Sequence, residues 1–541
     1  MSPFKLNSVA HAFRLIAGLT SAAGITAATH PDKSISEGEI YRDVELTEIT
    51  YDKADSLPAT LQLDPSNAME RPVDAILGFN WNWWRSDEIA FPGKASELNP
   101  DLAPLLAPLP MRLNRATGSY SQVFEWQAST GPREERPNQA ADYFTPGPPK
   151  PMRLGLPEWI QLQREANPDF RISWVLNLVT QTPDDAANLA AYITLPADSD
   201  HPWAQQRVAD GITDPVEPYV WELGNELDHN RYSDYTPESY ADACREWIDA
   251  VSAVHPAAKF AVTIRGSPWN KRRNPTLEHW AAWHRHVLEA VGDDIDYLVF
   301  HPYFKDGSLH NMDYYMDLLE EDIRAVTGSD RIKLLLSEYG VWPAREDRIM
   351  PNGTTKSVLR MDETHNWASS LSTADFIFRL LQRPSVGGAN YHSIRAGPWA
   401  LIDIEDGQLY PTAIHEMFSL LHRHATQRVI PVQINEPDPG GTLPSLGAVA
   451  FATNEGLKLT VFNKHRHATF KVGLELDQPM ILTEVETLHH PDPAARNTVD
   501  GKLVAPIVKT NADPSPVTSI SIKPMTIAVY RFESRTRAEH K

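Results

Sequence analysis

The chain has one cysteine, Cys244, in 541 residues, which excludes an intramolecular disulfide and a thiolate-rich zinc centre. It has no apolar run of about 18 residues, so nothing reads as a membrane-spanning helix. It also lacks an excess of positive charge: 50 Lys+Arg against 71 Asp+Glu leave a net −21. That balance argues against nucleic acid or an anionic membrane as the main partner. No Walker loop, His-Glu-x-x-His or Gly-x-Ser-x-Gly occurs, and no repeat of solenoid or propeller period is present. His284-Arg285-His286 falls on a helix, where i,i+2 side chains diverge, and His465-Arg466-His467 lacks a third ligand. No metal or cofactor is therefore expected. What remains, 42% hydrophobic and 22% charged, is the composition of a folded protein.

From Ala75 onward, short apolar runs alternate with segments of helical periodicity. The runs are Ala75–Phe79, Pro110–Leu113, Arg171–Leu178, Tyr219–Leu223, Phe260–Ile264, Ile295–His301, Lys333–Ser337 and Val386–His392. Each is continuous rather than alternating, as in strands buried on both faces. Thr182-Pro183-Asp184-Asp185 and Thr236-Pro237-Glu238 open helices with an N-cap hydroxyl, proline at the first helical position and acid in the first turn. Eight such units predict a (β/α)8 barrel over residues 73–425. After Arg428, short runs separated by Pro, Gly, Asn and Asp predict an antiparallel β-sandwich over 426–535, with a tail at 536–541. Strands at Val44–Thr50 and Thr60–Leu63, within 38–72, are expected to join that sandwich. Residues 1–37 carry Lys5, Arg14, a weakly apolar stretch and small residues, the pattern of a secretory leader. They predict a secreted or periplasmic protein, with a cytosolic N-terminal extension as the alternative.

Barrels of this kind place their chemistry at the C-terminal ends of the strands. The fourth strand runs into Glu222-Leu223-Gly224-Asn225-Glu226-Leu227-Asp228, and the seventh into Ser337-Glu338-Tyr339-Gly340. Carboxylates set against apolar strands lose solvation and need a partner or a task. Two of them facing each other across a barrel mouth suit the cleavage of a glycosidic bond. Glu222, four residues before Glu226, competes with it for the acid role. Asn80-Trp81-Asn82-Trp83-Trp84 leaves the first strand, and Trp126, Trp342 and Trp399 fall on other mouth loops. Flat rings there serve as stacking platforms for sugars or as core.

Gly224-Asn225-Glu226 at strand four with Glu338 at strand seven resembles clan A of the glycoside hydrolases. Leu176-Asn177-Leu178-Val179-Thr180, Phe300-His301-Pro302-Tyr303 and Tyr410-Pro411, in that order, bring the resemblance closest to the family 51 α-L-arabinofuranosidases. The resemblance implies a retaining glycosidase acting on terminal sugars of an oligo- or polysaccharide, with Glu226 as acid/base and Glu338 as nucleophile. It implies that Asn225 binds the sugar 2-hydroxyl, that Tyr303 donates to Glu338 with His301 nearby, and that Arg112 keeps Glu338 ionised. Asn80, Trp81 and Trp342 complete the expected sugar-binding set. Two departures touch the sugar subsite. Arg112 is followed by Leu113-Asn114-Arg115-Ala116 instead of a Pro-Gly-Gly turn, and Tyr339 stands where the family has tryptophan. The competing readings are a clan A pyranosidase or endo-glycanase, and a carbohydrate-binding barrel without catalysis. A homo-oligomer is left open.

Overall fold

The computed structural model describes residues 56–534 apart from 94–96, 117, 141–147, 229–233, 306–307, 351–352 and 437–444. The leader expected at 1–37 and the strand expected at Val44–Thr50 lie outside the described residues. Eight parallel strands form the barrel: β1 Gly78–Trp81, β2 Leu113–Ala116, β3 Arg171–Val175, β4 Pro218–Leu223, β5 Phe260–Thr263, β6 Tyr297–Val299, β7 Lys333–Val341 and β8 Val386–Tyr391. Each pairs with the next, and β8 pairs with both β7 and β1, which completes the ring. A closed ring has no free edge, and helices cover its outside, so strands such as β1, β2, β5 and β8 are buried along their whole length.

Three strands begin later than their apolar runs, β6 by two residues, at Tyr297 instead of Ile295. Ala75 and Ile76 belong to a short helix, Val73–Ile76. Pro110–Arg112 make a tight turn in which the Arg112 N–H donates to the Pro110 carbonyl, and Pro110 has no N–H to offer a ladder. Strand β2 therefore starts three residues late. Arg115, not Arg112, stands near its C-terminal end.

The helices begin where their caps are written. Thr182 accepts from the Asp185 N–H ahead of helix Pro183–Thr194, and Thr236 accepts from the Ser239 N–H ahead of Pro237–Val254. Helix Leu277–Val291 follows β5, and Trp367–Leu381 runs between β7 and β8.

The remaining chain forms two packed sheets. One contains Ser56–Leu63, Val432–Asn435, Thr469–Leu476 and Ser519–Ile522; the larger one is built around Leu446–Ala452, Gly456–Asn463, Thr526–Ser534 and Met480–His489. Pairing is antiparallel except where Ser56–Leu63 runs parallel to Thr469–Leu476. That strand enters from before the barrel, and no hairpin fixes its direction. The sandwich is fastened to the barrel along helix Trp367–Leu381: the Trp367 indole donates to the Met525 carbonyl at 2.8 Å, Phe378 packs on Phe462, and Lys464 pairs with Asp375 at 2.7 Å.

Arg71 ties the same helix to β8. Its guanidinium donates to the carbonyls of Leu380, Leu381 and Val386 at 3.2, 3.0 and 2.9 Å, and also to that of Arg383. It thereby satisfies helix-terminal carbonyls that have no partner of their own. Burial pulls Arg71 down to about 10, still a cation at neutral pH. Arg71→Met should lower the unfolding free energy by about 2–3 kcal/mol, read from urea denaturation. A loss under about 0.5 kcal/mol would show that the helix end does not depend on it.

Candidate active site

Glu226 owes its place to an unusual turn. After β4, Gly224 and Glu226 both take left-handed backbone conformations, with φ of +83° and +47°. A side chain at Gly224 would also meet Leu227 at 2.3 Å. For a glutamate this conformation stores strain, of order 1–3 kcal/mol, of the kind that gathers at functional sites. It turns the carboxylate into the barrel mouth, where the side chain keeps about a quarter of its exposure. Asp228 anchors the far end of the turn. Its Oδ2 accepts from the Gly266 N–H at 3.1 Å and from Arg273 at 2.7 Å, and burial pushes its carboxyl up to about 6.

Glu338 sits in a different environment. It lies on the long strand β7, is buried, and receives three kinds of positive or donating group. Arg115 Nη1 donates to its Oε1 at 2.8 Å, the Tyr303 hydroxyl donates to its Oε2 at 2.8 Å, and the imidazoles of His392 and His301 approach Oε2 at 3.8 and 4.0 Å. Burial opposes the charge of Glu338. The histidines, Arg115 and the Tyr303 hydroxyl together outweigh burial and hold the carboxyl well below the usual carboxylate range. Burial pushes the Tyr303 hydroxyl well up, and the Glu338 charge adds to that, so it remains a donor.

Arg115 is the hub. It is fully buried, and its Nε meets both oxygens of Glu222 at 2.8 and 3.0 Å, its Nη1 meets Glu338, and its Nη2 meets Asn225 Oδ1 at 2.8 Å. Arg112, expected in this role, is not brought to the site. It precedes β2 at the opposite end of the barrel, keeps 40% of its side-chain exposure and lies 3.8 Å from the exposed Asp169. Glu222 is the second anion of Arg115 and is wholly buried, so it does not compete with Glu226 for a place in the mouth.

The structure brings Glu226, Glu338, Asn225, His301 and Tyr303 together. An oxygen of each glutamate and a nitrogen of His301 lie within 4.8 Å of one another. Three such atoms have the spacing to enclose a small ion, but the cation on Glu338 is already Arg115, and we do not assign them as metal ligands. Asn80 is buried at the floor, where its Nδ2 donates to the Ser337 carbonyl at 3.2 Å and steadies β7 just before Glu338. Trp81 does not reach the mouth. Its indole donates to Asn114 and its ring packs edge-on against Trp159, and Trp83 and Trp126 are likewise core. The aromatic wall comes instead from the segments that follow β6, β7 and β8. Trp342, 41% exposed, stands 5.4 Å from the Tyr303 ring and 5.7 Å from Trp399, with His392 5.2 Å from Trp399.

Four residues of the site escaped the sequence reading: Ser337, His392, Gly118 and the primary role of Arg115. Gly118, φ +54°, lies so close to Glu338 that a Cβ would stand 3.0 Å from Oε1. Counted from Arg115, it supplies a glycine to the turn that the resemblance called for.

Removing Arg115 leaves two buried carboxylates without a counter-ion, so Arg115→Met should cost about 3–5 kcal/mol of stability. Arg112→Met should change stability by less than about 0.5 kcal/mol. Denaturant unfolding of the two variants checks both. Equal losses would place the hub elsewhere.

A family model described as α-L-arabinofuranosidase 1 domain matches residues 106–286, which hold Arg115, Glu222 and Glu226. An enzyme of Acetivibrio thermocellus named intracellular exo-α-(1→5)-L-arabinofuranosidase is 26% identical over 239 residues, 42% of this chain and 45% of its own length. An exo-α-(1→6)-L-arabinofuranosidase of Bifidobacterium longum is 21% identical over 418 residues, 71% of this chain and 77% of its own. Among solved structures, an α-L-arabinofuranosidase of Thermotoga maritima in complex with arabinose superposes with a TM-score of 0.73 at 18% identity, covering 87% of this chain and 99% of that one. A family 51 α-L-arabinofuranosidase from Bifidobacterium longum gives 0.73 at 18% identity, covering 88% and 100%. The chain is thus similar in sequence to named α-L-arabinofuranosidases, and it has the barrel-and-sandwich fold of the family 51 enzymes.

Proposed function

We propose that the protein is a retaining glycoside hydrolase that releases a terminal sugar, an α-L-arabinofuranosyl unit, from an oligo- or polysaccharide. The observation that carries this reading is the pair Glu226 and Glu338, with carboxyl oxygens within 4.8 Å across the mouth and in opposite environments. Retaining glycosidases hold their carboxyls about 5–5.5 Å apart, and inverting enzymes leave roughly 6.5–9.5 Å for a water. The buried Glu338, kept ionised beside Arg115 and Tyr303, is the nucleophile. Glu226 in the open mouth protonates the leaving oxygen and then takes a proton from the incoming water. Asn225, oriented by Arg115, presents its amide nitrogen to the sugar, a contact that strengthens towards the transition state. Trp342 and Trp399 supply the stacking wall.

The arabinofuranosyl unit is the sugar in the names of the relatives, and four relatives are named intracellular. Those names support the cytoplasmic alternative over export.

Among nitrophenyl glycosides, the α-L-arabinofuranoside should be cleaved and the β-xyloside, galactoside and glucoside left largely intact; the reverse preference would move the protein to another sugar. Proton NMR of the first product should show net retention, and an inverted anomer would remove the double-displacement reading. Glu338→Gln should abolish turnover. Glu226→Ala should still glycosylate from activated aryl substrates and recover turnover with azide; rescue of Glu338→Ala with retained configuration would reverse the two roles.

The acidic limb of the rate profile reports protonation of Glu338. Its folded-state pKa is depressed, so activity persists below the usual carboxylate range and fails only as pH falls through the depressed value. Tyr303→Phe removes one donor and should move that limb to higher pH. A fixed limb in a folded Tyr303→Phe variant would take Tyr303 out of this role.

A further inference from the structure

A chain of hydrogen bonds links the acid/base to the hub by a route that does not pass through Glu338. Glu226 Oε1 lies 3.0 Å from His301 Nδ1, His301 Nε2 lies 3.0 Å from the Ser337 hydroxyl, and that hydroxyl donates to Glu222 Oε2 at 2.9 Å. Glu222 also accepts from Ser173 Oγ at 2.5 Å and from Arg115 Nε. A carboxylate in a guanidinium pair has only lone pairs to offer. The single proton of Ser337 therefore goes to Glu222, and towards His301 the same oxygen can only accept.

We propose that Glu222, acting through the Ser337 hydroxyl, fixes a proton on His301 Nε2, so that Glu226 and His301 Nδ1 hold one further proton between them. Two lone pairs facing each other at 3.0 Å repel, so in the resting enzyme that proton sits on one partner or the other. When it sits on Glu226, the imidazole is neutral and the acid is ready to donate. Once Glu226 has given its proton to the leaving oxygen, its carboxylate faces the bare Nδ1 lone pair. That repulsion makes Glu226 a stronger base towards the incoming water, whose proton restores the pair. Ser337 and Glu222 are positioning residues: they act through His301 and do not touch the sugar. This inference rests on the proposed glycosidase mechanism for its consequence, but not for its geometry.

The groups facing the imidazole come from several elements: Glu226 from the turn after β4, Ser337 and Glu338 from β7, Arg115 from β2 and His392 beyond β8, with Tyr303 adjacent through Glu338. Burial disfavours an imidazolium there, but the charges of Glu338 and Glu226 outweigh burial and raise its pKa.

Nitrogen-15 NMR of histidine-labelled enzyme, with His301 assigned by its loss in His301→Asn, reads the proton without any substrate. The wild type should show His301 protonated at Nε2 throughout the neutral range. In Ser337→Ala the imidazole is released and can put its proton on Nδ1, donating to the Glu226 carboxylate and stabilising the charged form. The basic limb of the rate profile should then fall by about one pH unit, with turnover of poor leaving groups reduced about tenfold, equivalent to about 1.4 kcal/mol, and activated aryl substrates spared. Ser337→Thr keeps a hydroxyl and should restore the wild-type limb. A wild-type His301 with a bare Nε2 overturns the proposal, as does an unmoved basic limb in folded Ser337→Ala. An enzyme with the expected tautomer and no glycosidase activity would overturn the proposed function and leave the tautomer assignment standing.

Discussion

One guanidinium, buried without access to water, is shared by Glu222 of β4, Glu338 of β7 and the side-chain amide of Asn225. Each of these ions would be costly alone in a barrel lumen, and the cost falls only when all the donors and acceptors are matched. Arg115 presents its nitrogens in a rigid planar fork, so its partners must stand at fixed angles as well as distances. That requirement locks β2, β4 and β7 in relative height. It also sets where Glu338 points and which way the Asn225 amide is turned.

From that lock follows the asymmetry of the two glutamates. Glu338 is reached by a cation, a phenol and two imidazoles, and its charge is favoured in spite of burial. Glu226 is lifted away on a strained turn, held by Asp228 at one end and by His301 at its carboxylate. The ionised form is thus favoured at one place because the partners outweigh burial, while the other carboxyl is left facing the open mouth. The sandwich takes no part in this chemistry among the described residues. It covers the outer face of helix Trp367–Leu381, which runs between the strand of Glu338 and the strand that ends beside His392.

The barrel was legible because burial on both faces leaves a simple mark, a continuous apolar run. All eight strands fall at or beside such runs. The mark fails where polarity and structure part company. In Pro110–Ala116 the apolar residues belong partly to a turn, and the strand itself, Leu113–Ala116, carries Asn114 and Arg115, which hydrophobicity disfavours. The lumen-facing arginine was therefore passed over for Arg112. Trp81 misled for the opposite reason: it follows a strand, yet the ring folds back into the core between barrel and helix. The glutamates were legible because each sits where an apolar run ends. Ser337, Gly118 and His392 were not, since their roles depend on contacts between strands far apart in sequence.

The central claim is a covalent sugar ester on Glu338, and trapping it is the most direct test. An activated 2-deoxy-2-fluoro-arabinofuranoside slows both chemical steps but leaves a good leaving group for the first. Peptide mass mapping after incubation should then find one glycosyl group, on the peptide that contains Glu338. Attachment to the peptide bearing Glu226 or Glu222, or turnover with inversion and no adduct, would contradict the account.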